Sequence, residues 1–349
     1  MSDTTAKSPT IESRKDDHLA LCSTEQVAFK SKTNLLEQVE FVHNALPELS
    51  LEEISLGTNW AGKQLNAPII IAAMTGGVER AAAINRDLAQ IANELGLGFG
   101  FGSMRPLLRD KDSLGYKVRD VAPDALIIGN IGVVQAREAD TGRIQELVDK
   151  TGVDAMVVHL NPSMEVVQFD GDVDFRGGLD TIKRLVSTLS VPVVVKETGC
   201  GLSHSVGKRL VEAGVQFADC SGAGGTSWVG VEALRERADT AGDTFWDWGI
   251  PTAGSLLQLS SLPLKVCATG GIKNGLDVAR AMALGASCAG IARPVLQAWV
   301  KGGKAGAREY LLRVIREVRI AMLLTGSKDI LALQNSQTIL GNDLLKWAT

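Results

Sequence analysis

The run Ala155-Met-Val-Val-His-Leu-Asn161 shows the pattern that decides the fold. It is a short, continuous apolar segment, rich in β-branched residues, that ends in polar side chains. A strand buried on both faces of a parallel sheet has this appearance, whereas a strand with one solvated face alternates. Runs of the same kind recur at 67–74, 97–102, 125–130, 192–197, 217–222, 264–269 and 286–292. The sequence therefore predicts eight buried, parallel strands.

Segments with helical spacing separate these runs, at 81–95, 179–189, 205–213 and 276–284. Three of them are followed by Gly96, Gly214 and Gly285, as expected where a helix ends in a residue with positive φ. Strands that alternate with helices form a parallel sheet, and eight such units suffice to close it. We therefore predict an α/β fold, a TIM (β/α)8 barrel. An open, doubly wound sheet is the alternative, although no GxGxxG motif follows the first strand.

The rest of the chain predicts additions to this barrel. Residues 1–66 form an N-terminal extension, and residues 67–349 comprise the barrel with a C-terminal helical segment in which 305–324 has amphipathic spacing. Long connections at 162–178 and 223–250 follow the fourth and sixth strands. Loops of that length often serve as lids or binding loops.

Composition argues against several functional classes. The 349 residues include 36 basic and 40 acidic side chains, a net charge of −4, so no overall positive field attracts nucleic acid or acidic lipid. The five cysteines are scattered without a CxxC pair, which argues against a disulfide framework and a structural zinc site. No secretory apolar region or membrane-spanning run of about 18 apolar residues occurs. We expect a soluble, cytoplasmic protein that binds neither nucleic acid nor membrane.

Polar residues gather where the predicted strands end, and those ends build the active site of a TIM barrel. Ser103 and Arg105 follow the second strand, and an arginine suits bidentate binding of phosphate. Asn130 ends the third strand, where its amide could bind a flat heterocycle or cap the next helix.

The next two strand ends carry ionisable residues. His159 and Asn161 are two residues apart and share one face of the fourth strand. Glu165 could hold Mg²⁺ through one carboxylate, with water and a substrate phosphate in the remaining positions. Lys196 ends an apolar strand, where a buried ammonium is costly unless it meets an anion or an electron-rich cofactor.

Glycine-rich turns follow the sixth and seventh strands, in Ser221-Gly-Ala-Gly-Gly-Thr226 and Thr269-Gly-Gly271. Such turns at helix N-termini bind phosphate, and TIM barrels often bind phosphate late in the sheet. This signal implies a phosphorylated cofactor or substrate without naming it.

Taken together and in order, these motifs resemble the flavin-dependent type 2 isopentenyl-diphosphate isomerase family. The matching segments are Arg14-Lys15-Asp-Asp-His18, Ala73-Met74-Thr75-Gly76-Gly77, Gly102-Ser103-Met104-Arg105, His159-Leu-Asn161-Pro162, Lys196-Glu197, Gly222-Ala-Gly-Gly-Thr-Ser-Trp228, Asp247-Trp-Gly-Ile-Pro251 and Gly270-Gly271-Ile-Lys-Asn-Gly275. The resemblance implies an FMN-containing TIM barrel that interconverts isopentenyl and dimethylallyl diphosphate. It also implies a requirement for Mg²⁺, NADPH as reductant of the flavin without net redox, and a homotetramer or homo-octamer.

The resemblance assigns residues to three roles, by number in this sequence. The catalytic residues would be His159, Met164 and Glu165, and Glu165 would also bind the metal. FMN would contact Ala73, Met74, Thr75, Ser103, Asn130, Lys196, Thr226, Gly270, Gly271, Ala292 and Arg293. The substrate would contact Arg14 and Lys15 of the N-terminal extension together with Ser103, Arg105, His159, Asn161 and Met164.

One position departs from the family pattern. The family usually reads Asn-Pro-x-Gln-Glu, whereas this chain reads Asn161-Pro162-Ser163-Met164-Glu165. Methionine offers a weak sulfur acceptor and no donor, so an amide contact or proton relay at this position is lost. The family also often has glutamine where Met104 stands. The chain is then either an altered isomerase or a non-catalytic or repurposed paralogue that binds FMN and a prenyl diphosphate.

A further alternative is an FMN-dependent 2-hydroxyacid dehydrogenase, which shares a barrel with late phosphate binding. Such an enzyme needs a histidine base and carboxylate-binding arginines in its late loops. No such pairing follows Gly222 or Gly271.

Overall fold

The computed structural model describes residues 17–18, 20–74, 79–109, 114–235 and 241–348. Within these ranges eight parallel strands form a closed barrel, in the order β4 to β11 around the ring. The strands are β1 (Val39–Phe41), β2 (Thr58–Trp60), β3 (Lys63–Leu65), β4 (Ile69–Ile71), β5 (Gly98–Gly100), β6 (Leu126–Gly132), β7 (Ala155–His159), β8 (Val193–Lys196), β9 (Phe217–Asp219), β10 (Lys265–Thr269), β11 (Cys288–Ile291) and β12 (Thr338–Leu340). The predicted TIM barrel is confirmed, and the open sheet is wrong.

Helices follow most barrel strands, as the periodicity predicts. They are α1 (Glu79–Leu95), α2 (Val133–Glu138), α3 (Thr141–Thr151), α4 (Pro162–Val167), α5 (Gly178–Thr188), α6 (His204–Glu212), α7 (Trp228–Ala233), α8 (Ala241–Thr244), α9 (Thr252–Leu259), α10 (Gly275–Ala283), α11 (Arg293–Thr325), α12 (Ile330–Gln334) and α13 (Asn342–Leu345). Short 3₁₀ helices lie at Leu36–Gln38, Leu51–Glu53, Arg105–Arg109 and Leu114–Tyr116. In the described ranges, no helix is both long and apolar enough to span a membrane.

Three features of the helices refine the sequence predictions. The amphipathic segment 305–324 is part of the longer α11, whose helical geometry is interrupted at Gly302 and Gly303. The connections 162–178 and 223–250 contain the short helices α4, α7 and α8, so they are structured over much of their length. Gly96, Gly214 and Gly285 all have positive φ, as predicted for helix ends.

The β2–β3 hairpin of the N-terminal extension packs against side chains of the barrel strands. The β2–β3 hairpin places Trp60, which is 1% exposed, in a cluster with residues from several barrel strands. Its indole ring meets Phe217 of β9 edge to face, with ring centroids 5.6 Å apart. Before the hairpin in the chain, β1 pairs antiparallel with β12, and this pairing joins the extension to the C-terminal segment. The β2–β3 hairpin and β1 therefore pack as one unit with the barrel and the C-terminal segment.

A second part of the extension crosses the carboxyl ends of the strands; we call residues 20–34 the N-terminal strap. The carbonyl of Val27 accepts from Ser227 N at 2.8 Å, and the carbonyl of Ala28 accepts from Trp246 Nε1 at 2.9 Å. Asn34 Nδ2 donates to the carbonyl of Gly271 at 2.8 Å. The strap is thus bonded to the loops that follow β9 and β10.

We expect Trp60→Ala to lower the free energy of unfolding by about 3–5 kcal/mol, because truncating a buried aromatic side chain leaves a cavity. Urea unfolding followed by far-UV circular dichroism measures the change. Trp248→Ala is the matched control. That side chain is 60% exposed, so its removal is expected to change the free energy of unfolding by no more than about 0.5 kcal/mol. Equal losses for the two variants would contradict the role given to Trp60.

Candidate active site

A cavity of about 300 Å³ lies at the carboxyl end of the barrel strands. This volume lies at the small end of the range for ligand pockets, about 300–1,000 Å³. All of the predicted site residues that the structure describes line it: Ala73, Met74, Ser103, Arg105, Asn130, His159, Asn161, Met164, Glu165, Lys196, Thr226, Gly270, Gly271, Ala292 and Arg293. The predicted residues Arg14, Lys15 and Thr75 lie outside the described residues.

Strand register places three ionisable side chains side by side near the top of the barrel. His159 of β7 pairs with Lys196 of β8, and Lys196 pairs in turn with Asp219 of β9. Parallel strands lie about 4.8 Å apart, so side chains at the same level on neighbouring strands are close. Lys196 and Asp219 are buried, and their opposite charges compensate each other in part.

The Lys196 ammonium donates to the carbonyl of Glu197 at 2.5 Å and to Ser221 Oγ at 3.3 Å. An ammonium has three donors, so these bonds leave one for a bound group. Asp219 accepts from Thr269 Oγ1 at 2.9 Å and from the backbone nitrogen of Ser221 at 3.0 Å. Burial raises the pKa of Asp219, and the Lys196 charge opposes that shift.

Glu197 has a different function from its neighbour Lys196. Its side chain accepts a hydrogen bond from the backbone nitrogen of Cys200 and so shapes the loop after β8. Burial raises the pKa of Glu197 to about 7, although the hydrogen bonds from this loop and the Lys196 charge lower it in part. Glu197 is a support of the loop and is absent from the cavity lining.

Asn130 lies within β6 and is buried, so it does not cap a helix. Its Nδ2 donates to the carbonyl of Phe101 at 3.1 Å, and its Oδ1 lies 2.7 Å from His159 Nδ1. Burial, followed by the nearby Lys196 charge, lowers the pKa of His159 to about 3. His159 is therefore a neutral imidazole at neutral pH.

Glu165 is oriented by three donors. Asn161 Nδ2 donates to Oε1 at 2.7 Å, while the backbone nitrogen of Asp172 and Nε2 of Gln168 donate to Oε2 at 2.9 and 3.4 Å. A carboxylate has about four lone-pair sites, so one remains on Oε1 for a cation. The described residues include no group of three or more His, Cys, Asp or Glu placed to hold a metal.

The two methionines that depart from the family pattern differ in their surroundings. Met164 lies in α4, is half-buried and lines the cavity. Gln168, the residue that caps the end of α4, lines the same cavity. Met104 is instead fully buried, and its sulfur accepts from the backbone nitrogen of Asn130 at 3.3 Å. The departure that reaches the cavity is therefore Met164.

The glycine-rich turns after β9 and β10 pack backbone against backbone. Gly270 and Gly271 have φ of 114° and 76°, which side-chain-bearing residues rarely adopt. A Cβ on Gly225 would lie 2.4 Å from the backbone nitrogen of Gly271. Lys273 and Arg293 line the cavity beside these turns. The combination of close backbone and two cations suits a phosphate group.

A cluster around Glu232, next to the strap, contains residues to which the sequence analysis assigned no role. His18, just before the strap, lines the cavity, and its Nε2 lies 2.7 Å from Oε1 of the buried Glu232. Arg235 binds the other Glu232 oxygen at 2.5 Å, and the His18 ring packs edge to face on Trp228 at 5.4 Å. His18 belonged to a quoted motif, but no pattern in the sequence pointed to Glu232 as its partner.

Thr198 and Gln135 also line the cavity without having been predicted. Thr198 lies two residues after the end of β8. The expectation that polar residues at the strand ends line the site, which pointed to Lys196, could therefore have found it. Its Oγ1 is buried and has no hydrogen-bond partner among the described residues. A buried hydroxyl without a partner is costly, and a bound ligand would supply one.

These observations fit a flavin nucleotide. The cavity offers the unpartnered Thr198 hydroxyl and the remaining Lys196 donor for the polar edge of a flat ring. It offers Gly270, Gly271 and Arg293 for a phosphate, where α11 begins. Backbone of Gly222, Gly225 and Gly290 adds side-chain-free surface against which a planar group can lie.

Comparison with known proteins gives a consistent result. A family model described as FMN-dependent dehydrogenase matches residues 132–340. A protein named isopentenyl-diphosphate delta-isomerase from Synechococcus sp. is 44% identical, covering 94% of this chain and 96% of its own length. Proteins of the same name from Cronobacter sakazakii (42% identical, 95% and 97% covered) and Methanosarcina barkeri (40%, 95% and 92%) are also similar.

Among solved structures, a mandelate oxidase variant with a monooxide FMN adduct is similar, with a TM-score of 0.64 and 20% identity over 93% of this chain and 95% of that chain. Another mandelate oxidase structure gives a TM-score of 0.62 and 22% identity over 95% and 98%. At such identities the similarity shows a shared fold.

We expect His159 to remain neutral between about pH 5 and pH 8 in the ligand-free protein, because its pKa of about 3 lies far below this range. Two-dimensional NMR of ¹³C-labelled histidine rings measures each titration, and His159→Asn assigns the signal. His43 serves as the internal control, since it lies in the β1–β2 connection away from the cavity. A His159 ring that titrates near its ordinary value of 6.5 would refute the expectation.

Proposed function

The chain belongs to the type 2, FMN-dependent isopentenyl-diphosphate delta-isomerase family, and from this membership we propose that it interconverts isopentenyl and dimethylallyl diphosphate in the barrel cavity. The reaction moves one double bond by protonation and deprotonation of carbon, without net redox. FMN is the cofactor that the family implies; Mg²⁺ and NADPH as reductant of the flavin complete the proposal.

The observation that carries this proposal is the meeting of two different polar sets in one cavity. On one side lie Gly270, Gly271 and Arg293, suited to the cofactor phosphate. On the other lie Arg105, Asn161 and Glu165, a set suited to a second phosphorylated group with a divalent cation. A cavity that binds a flavin nucleotide and a diphosphate needs both sets.

Bound FMN would supply the acid–base group and the electron-rich ring that the protonation of an unactivated alkene requires. Lys196 and Thr198 would hold the polar edge of the ring, each through a donor that the protein leaves available. With cofactor and substrate filling the cavity, its lining would keep water from the reacting carbons and so prevent capture of a cationic carbon by solvent.

The remaining residues would bind the substrate. Arg105 and Asn161, with Ser103 and His159, would contact the diphosphate, and the predicted Arg14 and Lys15 would join them from the N-terminal extension. Glu165 would hold Mg²⁺ through the open lone pair of Oε1, with water and diphosphate oxygens completing its coordination.

Met164 would contact the prenyl chain. Its thioether donates no hydrogen bond, so we assign it packing and positioning rather than proton transfer. The amide of Gln168 also lines the cavity, and its Nε2 lies at a long 3.4 Å from Glu165 Oε2. The proposed reaction therefore does without the amide that the family usually has at position 164.

The two alternative functions have less support. Relatives that match nearly the full chain carry the isomerase name, whereas the similarity to mandelate oxidases is one of fold. The homotetramer or homo-octamer remains a prediction of the family resemblance, and the cytoplasmic location remains a prediction from the composition of the chain.

The direct test is product formation from isopentenyl diphosphate by purified protein under anaerobic conditions with FMN, NADPH and Mg²⁺, followed by NMR. We expect dimethylallyl diphosphate to appear when the flavin is reduced and to be lost when Mg²⁺ is chelated. A folded protein that holds FMN and forms no product would overturn the isomerase and favour the repurposed paralogue.

We also expect Met164→Gln to raise kcat by roughly tenfold, because one restored hydrogen bond to a developing charge contributes about 1.5 kcal/mol. Initial rates measured at equal FMN occupancy report the change. Met164→Leu is the matched control, since it keeps the apolar volume and adds no amide. If the glutamine variant is no faster than the leucine variant, the missing amide does not limit the reaction.

A further inference from the structure

We propose that Asn130 is a positioning residue that keeps the proton of neutral His159 on Nδ1, so that binding of a diphosphate beside the imidazole draws one proton from solvent onto Nε2. The inference rests on the proposed function and adds a coupling between substrate binding and protonation.

The position of the proton follows from the two ends of the Asn130 amide. The carbonyl of Phe101 accepts hydrogen bonds and cannot donate, so the Asn130 atom 3.1 Å from it is the amide nitrogen. The amide oxygen then faces His159 Nδ1 at 2.7 Å. Because an amide oxygen accepts and cannot donate, Nδ1 must carry the hydrogen in this contact.

The other ring nitrogen is left as a bare acceptor. His159 Nε2 lies over Gly132 of β6, where an added Cβ would come within 3.0 Å of it. No hydrogen-bond donor to Nε2 occurs in the part of the chain that the structure describes, and the ring lines the cavity. Nε2 is thus the imidazole atom available to a ligand.

The charges around His159 explain why the free protein leaves this nitrogen unprotonated. On the β8 side stands the Lys196 ammonium, with Asp219 of β9 beyond it. On the β6 side stand the uncharged Asn130 and Gly132. Arg105, at the start of the 3₁₀ helix after β5, and Glu165, in α4 after β7, line the same cavity. Burial and the Lys196 charge together lower the pKa of His159, in agreement with a neutral ring.

A diphosphate reverses this balance. Its ionised oxygens are acceptors, so the lone pair of an unprotonated Nε2 would repel the lone pairs of the neighbouring phosphate oxygens. A proton on Nε2 replaces that repulsion with a charge-assisted hydrogen bond. The proton comes from water or buffer and forms one N–H bond at Nε2, while the other hydrogen stays on Nδ1 and is still donated to Asn130 Oδ1. No other bond changes, and one positive charge is added for each ligand bound.

Isothermal titration calorimetry tests this coupling. Isopentenyl diphosphate is titrated into the FMN-loaded protein with Mg²⁺ at about pH 7.5, in buffers of different ionisation enthalpy. The flavin is kept oxidised so that the substrate binds without turnover. We expect uptake of close to one proton per site, and an affinity that falls about tenfold per pH unit as the pH rises. Binding of the ligand without proton uptake would overturn the proposal.

Two variants separate this role from a structural one. His159→Asn should abolish the proton uptake, and Asn130→Ala should reduce it strongly, because a ring freed from Asn130 can turn its neutral N–H toward the ligand. Cys22→Ala is the matched control: it removes a side chain of the same cavity whose thiol burial keeps neutral, and it should leave the uptake near one. Unchanged uptake in His159→Asn would assign the proton to another group and overturn the proposal.

A spectroscopic measurement gives an answer without any variant. In ¹⁵N NMR of the ligand-free protein, His159 should show a protonated Nδ1 and an unprotonated Nε2, and both nitrogens should be protonated in the complex. An Nε2 that already carries hydrogen without ligand would overturn the proposal. A protein that forms dimethylallyl diphosphate but takes up no proton rejects this inference alone, whereas absence of both binding and product rejects the proposed function as well.

Discussion

The site depends on one electrostatic constraint, the burial of the Lys196 ammonium at the top of a closed barrel. A buried charge is tolerated when hydrogen bonds and an opposite charge compensate its lost hydration. Glu197 and Ser221 accept its hydrogen bonds, and Asp219 on the next strand supplies the opposite charge. The same ammonium stands beside His159 and helps to keep that ring neutral. One strand register therefore places this charge between two ionisable neighbours, whose pKa values are shifted first by burial and then by the ammonium.

The glycine-rich turns after β9 and β10, with the strap bonded to them, form the adjoining wall of the cavity. Close backbone packing at Gly225, Gly270 and Gly271 leaves no volume for side chains, so the strap can bond directly to the turn through Asn34. Glu232 then connects this wall to His18, because its two oxygens bind His18 and Arg235. The N-terminal extension is consequently part of the active-site wall, although it lies outside the barrel in sequence.

Methionine at position 164 leaves the hydrogen bonds that orient Glu165 unchanged. The carboxylate of Glu165 is held by Asn161, Gln168 and the backbone of Asp172, and none of these bonds uses the side chain at position 164. A thioether in place of an amide therefore leaves the candidate metal ligand in position. The change acts on the surface that faces the ligand, where an apolar, flexible side chain replaces a hydrogen-bonding one.

The sequence by itself determined the barrel and many of the polar residues that line its cavity. Continuous β-branched runs can be buried on both faces only in a covered parallel sheet, and the polar residues that end them, such as Arg105, Asn161 and Lys196, meet where such strands end. Tertiary structure alone decided the partners. Glu232 lies far from His18 in the chain, and Asn130 bonds to His159 from another strand because register, which local pattern does not encode, places them side by side. It also decided that Met104 is buried while Met164 faces the cavity, because identical side chains differ in exposure only through the packing of distant segments.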